Sequence, residues 1–186
     1  MARIRNGNTV LDPYAGSCAT LLAAAMIAPS SETVGIEIAH NGLVNRDDIR
    51  RDFSSRGLTQ PKDLILGDSA KREVRLKARA AIGNKPFDVI IADPPYGIRE
   101  STNYNEKSPL EELFLSISND RESDARLLKK GGRLVAFVPV TDEESLQQML
   151  PDSELTQLAG LSFEVSKEQP LNDKLSRWLV SFKCER

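Results

Sequence analysis

Short apolar runs alternate along this chain with longer amphipathic stretches. Five runs, at 9–12, 33–37, 63–66, 87–92 and 133–138, are four to six residues long and rich in Val, Ile and Leu, which predicts buried strands. Between them apolar residues recur at helical spacing, which predicts helices over 21–28, 41–56 and 69–82 and from Ser108 onward. The last of these opens on Ser108-Pro109-Leu110-Glu111, a capping box with proline at the first helical position. It carries Leu110, Leu113, Phe114 and Ile117 on one face and is expected to end before Gly131-Gly132. Thr141-Asp142-Glu143-Glu144 reads as a second capping box, with a helix to position 150. Two further strands, at 158–166 and 176–183, are joined by 168–173 with no helix between them, so they pair antiparallel. Alternation of strand and helix calls for parallel pairing with right-handed crossovers. The pattern therefore predicts an α/β, doubly wound, Rossmann-like domain: seven strands, mostly parallel, with an antiparallel C-terminal hairpin.

In such a sheet, ligands bind at the carboxyl ends of the strands. Acids stand at those ends in series. Asp12 ends the first strand and leads through Pro13-Tyr14-Ala15-Gly16 into an alanine-rich helix, placing bare amides and a helix N-terminus beside any ligand. Glu37 ends the second strand, where nucleoside-binding folds hold ribose hydroxyls. Asp68-Ser69 follows the third, where a carboxylate and an amide can read an adenine. The loop is not a phosphate-binding one, since no Gly-Lys-Ser/Thr follows Gly16.

Asp93-Pro94-Pro95-Tyr96-Gly97, directly after the fourth strand, carries the most chemistry. The prolines stiffen the turn and direct its carbonyls. Asp93 and the Pro94 carbonyl form a pair of acceptors for an exocyclic amino group, and Tyr96 offers a flat face on which a base can stack. Residues 101–108, polar and next in sequence, read as a loop able to order over a substrate.

Asp12-Pro13-Tyr14-Ala15-Gly16, Glu37, Asp68 and Asp93-Pro94-Pro95-Tyr96 together resemble the ordered motifs of class I S-adenosyl-L-methionine-dependent amino-methyltransferases. The continuation Gly97-Ile98-Arg99 is similar to the RNA methylase family that includes the tRNA guanosine N2-methyltransferases. The resemblance implies S-adenosylmethionine as cofactor, held by Asp12, Tyr14, Gly16, Glu37, Asp68, Ser69 and Asp93. It implies catalysis by Asp93, Pro94 and Tyr96, and substrate contacts from Pro95, Tyr96, Gly97 and Arg99, without a metal. Cys18 stands where the family commonly has a second glycine, so a side chain is expected to crowd the methionine moiety of the cofactor. The same tetrapeptide also serves adenine-N6 methyltransferases, and a non-catalytic nucleotide-binding or scaffold member of the fold is a third reading.

Composition describes one domain over 1–186. Apolar residues make up 40% of the chain, with no run long enough for a membrane span and no secretory leader. The two cysteines, Cys18 and Cys184, lack metal-ligand spacing and read as free thiols of a cytoplasmic protein. His40 is the only histidine, which removes Ser–His and Cys–His catalysis unless it serves alone. The net charge of −2 supplies no RNA-binding face of its own. The densest basic stretch, 71–79, reads as a solvated helix surface. The first strand lies close to Met1, leaving no room for the amino-terminal RNA-binding module (THUMP type) of the resembling family, so docking of tRNA is expected to need an additional module. That family also uses a small zinc-binding activator subunit, which implies a partner at the sheet edge near Leu64 to Leu66.

Overall fold

The computed structural model describes residues 1–38, 45–95, 107–120 and 126–186. Its sheet has seven strands: β1 (Thr9–Asp12), β2 (Glu32–Glu37), β3 (Asp63–Leu66), β4 (Phe87–Ala92), β5 (Leu128–Thr141), β6 (Leu161–Asn172) and β7 (Leu175–Cys184), in the order β3-β2-β1-β4-β5-β7-β6. The first five pair in parallel, while β7 runs antiparallel to both β5 and β6. The expected α/β sheet with its C-terminal hairpin is thus present, and β3 lies at the edge as expected.

The helices are α1 (Ala19–Ile27), α2 (Arg46–Ser55), α3 (Arg72–Ala80), α4 (Pro109–Asp120), α5 (Leu146–Met149) and α6 (Ser153–Ala159). Alternation along the buried strands divides them between two faces. Leu11, Ile36 and Ile90 pack with Val74 and Ala78 of α3 and Leu113, Phe114 and Ile117 of α4. Val10 and Val89 point the other way, onto Ala24 of α1. Leu21 and Ala25 of α1 meet Ile49 and Phe53 of α2 on the same side. The capping box of α4 forms as expected: the Glu111 N–H donates to Ser108 Oγ at 3.2 Å, and the Ser108 N–H to Glu111 Oε2 at 2.6 Å.

The C-terminal third departs from the sequence reading. Residues 153–159 form α6, so Leu158 lies in a helix rather than at a strand start. Asp152 caps α6, accepting from the Leu155 N–H at 2.7 Å, and Gly160 ends it with φ 70°. Residues 168–172 belong to β6, leaving only Asp173-Lys174 for the hairpin turn. Pro170 fits there because β6 is an edge strand and its missing N–H deprives no neighbour. Thr141 to Glu144 is a turn, not a helix start: Glu144 Oε2 accepts from the Thr141 hydroxyl at 2.7 Å. The described part of helix α4 runs to Asp120, before the glycine pair as expected, and β5 begins at Leu128 rather than 133.

Among the described residues, no helix is long and apolar enough to cross a membrane. His40 and residues 101–106 of the polar loop lie outside the described residues.

Candidate active site

The acids of β1 to β4 converge at one end of the sheet, around a cleft of about 630 Å³. Of the residues singled out in the sequence, Asp12, Tyr14, Gly16, Glu37, Asp68, Ser69, Asp93 and Pro95 all line it. Pro94 is buried and is not among the lining residues. Tyr96, Gly97 and Arg99 lie outside the described residues.

Asp12 organises the first loop. Its carboxylate is fully buried, with Oδ1 accepting from the Tyr14 N–H at 2.9 Å and Oδ2 from the Thr20 hydroxyl on α1. This ties the strand end to the helix that follows. The Tyr14 hydroxyl donates to the Pro109 carbonyl at 2.9 Å, joining the loop to the first turn of α4. Burial raises the Tyr14 pKa, so the phenol stays a neutral donor. The Ala15 N–H donates to the Ile36 carbonyl at 2.8 Å and the Gly16 N–H to Glu37 Oε2 at 2.7 Å, sewing the loop to the end of β2. Gly16 has φ 48°, where L side chains are strained, and a Cβ built on it meets nothing within 4 Å. Open cleft lies against its backbone.

Burial pushes the Asp12 carboxyl up to about 7; the Thr20 and Tyr14 hydrogen bonds pull it down, and the Asp93 and Glu37 charges add to the rise. The folded value exceeds the unfolded one, so the folded protein holds this proton between about pH 4 and 7. The associated stability is complete below that window and is lost as pH rises through it. Asp12→Asn removes this dependence. Urea unfolding should show the variant gaining roughly 2–3 kcal/mol relative to the parent between pH 5 and pH 8; parallel pH curves would refute the assignment.

Asp68 shapes the third loop by accepting from the Ala70 N–H at 2.8 Å. Arg75 of α3 secures the same loop, donating through Nη1 to the Ser69 and Ala70 carbonyls at 3.0 and 2.6 Å. The expected solvated basic face is therefore overturned in part. Arg75 and Arg79 are only 4% and 6% exposed, and they bind loop carbonyls and Asp120 instead of facing solvent. Long side chains at the buried positions of α3 can reach such partners, which spacing alone does not reveal.

The expectation for Cys18 is also overturned. The residue has φ 63° and ψ 25°, the left-handed conformation that favours glycine. Its side chain is buried among Leu21, Ala25, Ile49 and Phe53, not in the cleft, so it does not crowd a ligand there. Burial, then the Asp12 and Glu37 charges, push the thiol up to about 12, leaving it protonated and unreactive at neutral pH.

Asp93 stands directly after β4. One partner was not foreseen: Arg177 of β7, whose Nη1 lies 3.7 Å from Asp93 Oδ2. A contact between such distant parts of the chain leaves no local signal. Thr20 was also missed, although a hydroxyl on an alanine-rich helix eight positions after Asp12 was a usable clue.

No protein-family model matches the chain. Among curated proteins, human tRNA (guanine(10)-N(2))-methyltransferase TRMT11 is 28% identical over 218 residues, covering 96% of this chain and 43% of that protein. TRMT11 of Dictyostelium discoideum is 28% identical over 166 residues, covering 77% of this chain and 31% of that protein. The chain thus spans less than half the length of the curated relatives it matches. Among solved structures, TrmN from Thermus thermophilus has a TM-score of 0.59 at 23% identity, covering 98% of this chain and 46% of that one. Fibrillarin from Aeropyrum pernix, with natively bound S-adenosyl-L-methionine, has a TM-score of 0.58 at 17% identity, covering 96% and 67%. The chain has the fold of class I methyltransferases, and its matched sequence relatives are tRNA (guanine(10)-N(2))-methyltransferases.

Proposed function

We propose that residues 1–186 act as one catalytic domain that transfers a methyl group from S-adenosylmethionine to the exocyclic N2 of a guanosine in tRNA. The observation that carries this reading is the convergence of Asp12, Glu37, Asp68 and Asp93 on one cleft, in a chain that aligns over nearly its whole length with guanine-N2 enzymes.

The cleft fits the cofactor. Its volume lies in the range of small-molecule sites, its acids suit hydroxyl and amino donors, and the space beside Gly16 admits a ligand against bare backbone. Glu37 would hold the ribose hydroxyls, Asp68 with the Ser69 amide the adenine, and Asp12 would keep the first loop in shape. Bound there, S-adenosylmethionine supplies an electrophilic methyl group.

The protein's task follows from the amine. An aryl amine shares its lone pair with the ring and is a weak nucleophile. Acceptance of its N–H groups by Asp93 and the Pro94 carbonyl favours a more tetrahedral nitrogen and localises the lone pair. The Asp93 carboxylate then stabilises the positive charge that grows on nitrogen, and the proton leaves afterwards to Asp93 or water. Tyr96 would stack on the unstacked base, with Pro95, Gly97 and Arg99 beside it.

Full affinity for tRNA would require an additional RNA-binding module, since Arg75 and Arg79 are committed inside the fold. The exposed edge of β3, with Leu66 50% exposed, would suit a small zinc-binding activator subunit. Two buried, unpaired cysteines accord with a cytoplasmic enzyme.

Titration calorimetry with S-adenosylmethionine tests the cofactor half of this reading. The wild type should bind, and Glu37→Ala should weaken binding by about 1–3 kcal/mol. Glu37→Gln, which keeps an acceptor for the Gly16 N–H, separates loss of the loop contact from loss of the charge. Unchanged affinity in both variants would contradict the assignment.

A further inference from the structure

Strands β5 and β7 continue past the last residue that β5 pairs with on β4, the Ala92–Ala136 register. They form a wall beside Asp93, on the side away from Glu37 and Asp68. Arg177 lies on this wall, in register with Pro139. Its guanidinium is held on three sides. The Cζ atom sits 4.3 Å from the centroid of the Phe137 ring. Nε and Nη2 donate to Gln169 Oε1 at 3.2 and 2.9 Å. Nη1 points to Asp93 Oδ2 at 3.7 Å, within ion-pair range but too long for a hydrogen bond.

The result is a fixed cationic donor beside the acceptor, on the side of the site where the cofactor residues are not. Among the described residues, Nη1 makes no hydrogen bond, and its side chain is 27% exposed, open to a ligand. A guanidinium clamped by stacking and by a Gln amide loses little freedom when it takes a further acceptor.

We propose that Arg177 is a specificity-determining residue for the target base: while Asp93 accepts from the amino group, Arg177 Nη1 donates to a ring carbonyl on the same edge. The inference rests on the methyl-transfer reading of the cleft. The Watson–Crick edge of guanine presents an amino donor, a ring N–H donor and then the O6 acceptor. A carboxylate with a guanidinium beside it complements that order. Adenine offers an amino group but no carbonyl. Two positions from that amino group on its Watson–Crick edge stands the apolar C2–H, which would leave the cationic donor without an acceptor. Its N1 acceptor would meet the carboxylate in place of a ring N–H. Sites built to bond a substrate's polar group discriminate strongly against analogues that lack it.

The test uses undermodified tRNA in which the methylated guanosine, first located by nucleoside mapping, is replaced by 2-aminopurine. That base keeps the 2-amino group and lacks O6 together with the N1–H, so the Arg177 contribution is read from the change in preference between wild type and variant. The wild type should favour guanosine over 2-aminopurine in kcat/KM by about 10–100-fold, the size of one hydrogen bond to a charged group. Arg177→Met should lose most of the guanosine rate, leave 2-aminopurine transfer within a few-fold and keep cofactor affinity, which collapses the preference. Arg177→Lys, which keeps the charge without the planar fork, should fall between the two. An equal loss on both bases would overturn the proposal, because Arg177 would then act only through Asp93. A wild type that transfers equally to both bases would overturn it without any variant, whatever the folding of Arg177→Met. A wild type that methylates no guanosine would instead overturn the underlying reading, and the proposal with it.

Discussion

Asp93→Ala is expected to bind S-adenosylmethionine with little change and to lose methyl transfer by about 10²–10³-fold or more. Its carboxylate acts on a charge that exists only as the amino nitrogen attacks, so its loss appears in kcat rather than in cofactor affinity. Two bonds that hold the cofactor loops, from the Gly16 N–H to Glu37 and from the Ala70 N–H to Asp68, are made without Asp93. Removing Asp93 also lifts one of the two like charges that add to the rise of Asp12. Single-turnover transfer to tRNA, with calorimetry on the same preparation, separates the two effects. Near-normal transfer by the variant would remove Asp93 from the chemistry.

Asp120→Ala is expected to cost about 3–5 kcal/mol of stability. Asp120 and Arg75 are 1% and 4% exposed, and Arg75 Nε donates to Asp120 Oδ2 at 2.7 Å. Taking away the carboxylate leaves a guanidinium buried without its counter-charge. The pair joins α3 to the end of α4, and the same guanidinium holds the Ser69 and Ala70 carbonyls. Arg75→Met with Asp120→Leu should therefore recover much of the stability in urea unfolding, because no charge is left buried. It should still weaken cofactor binding, because the loop that carries Ser69 has lost its anchor. A double variant as unstable as Asp120→Ala would show that packing, not the uncompensated charge, sets the loss.

The parallel half of the fold was legible because its signals are local. Runs such as 87–92 are too short for helices, and each acid at a strand end is adjacent in sequence to the strand that positions it. The Ser108–Glu111 capping box was legible for the same reason, since both partners lie within one turn. The C-terminal third was harder. Leu158 and Leu161 fall in one apolar stretch, and only the Asp152 cap and the left-handed Gly160 divide it into helix and strand. Residues 168–173 read as the connection between the two strands, whereas most of them extend β6, an edge strand on which Pro170 is tolerated. The roles of Arg75, Arg177 and Cys18 were not legible, because each depends on what the fold brings near. Arg75 meets a residue on another helix, Arg177 an acid on a non-adjacent strand, and Cys18 a backbone conformation that composition does not record.

The central claim is that this cleft methylates the amino group of guanine. It is tested most directly by incubating the protein, at high concentration and low salt, with S-adenosylmethionine and undermodified tRNA, then digesting the RNA and identifying the nucleosides by mass and retention. The account predicts N2-methylguanosine, absent when Asp93→Ala replaces the wild type. N6-methyladenosine as the product, or no methylated nucleoside from a protein that binds the cofactor, would contradict it.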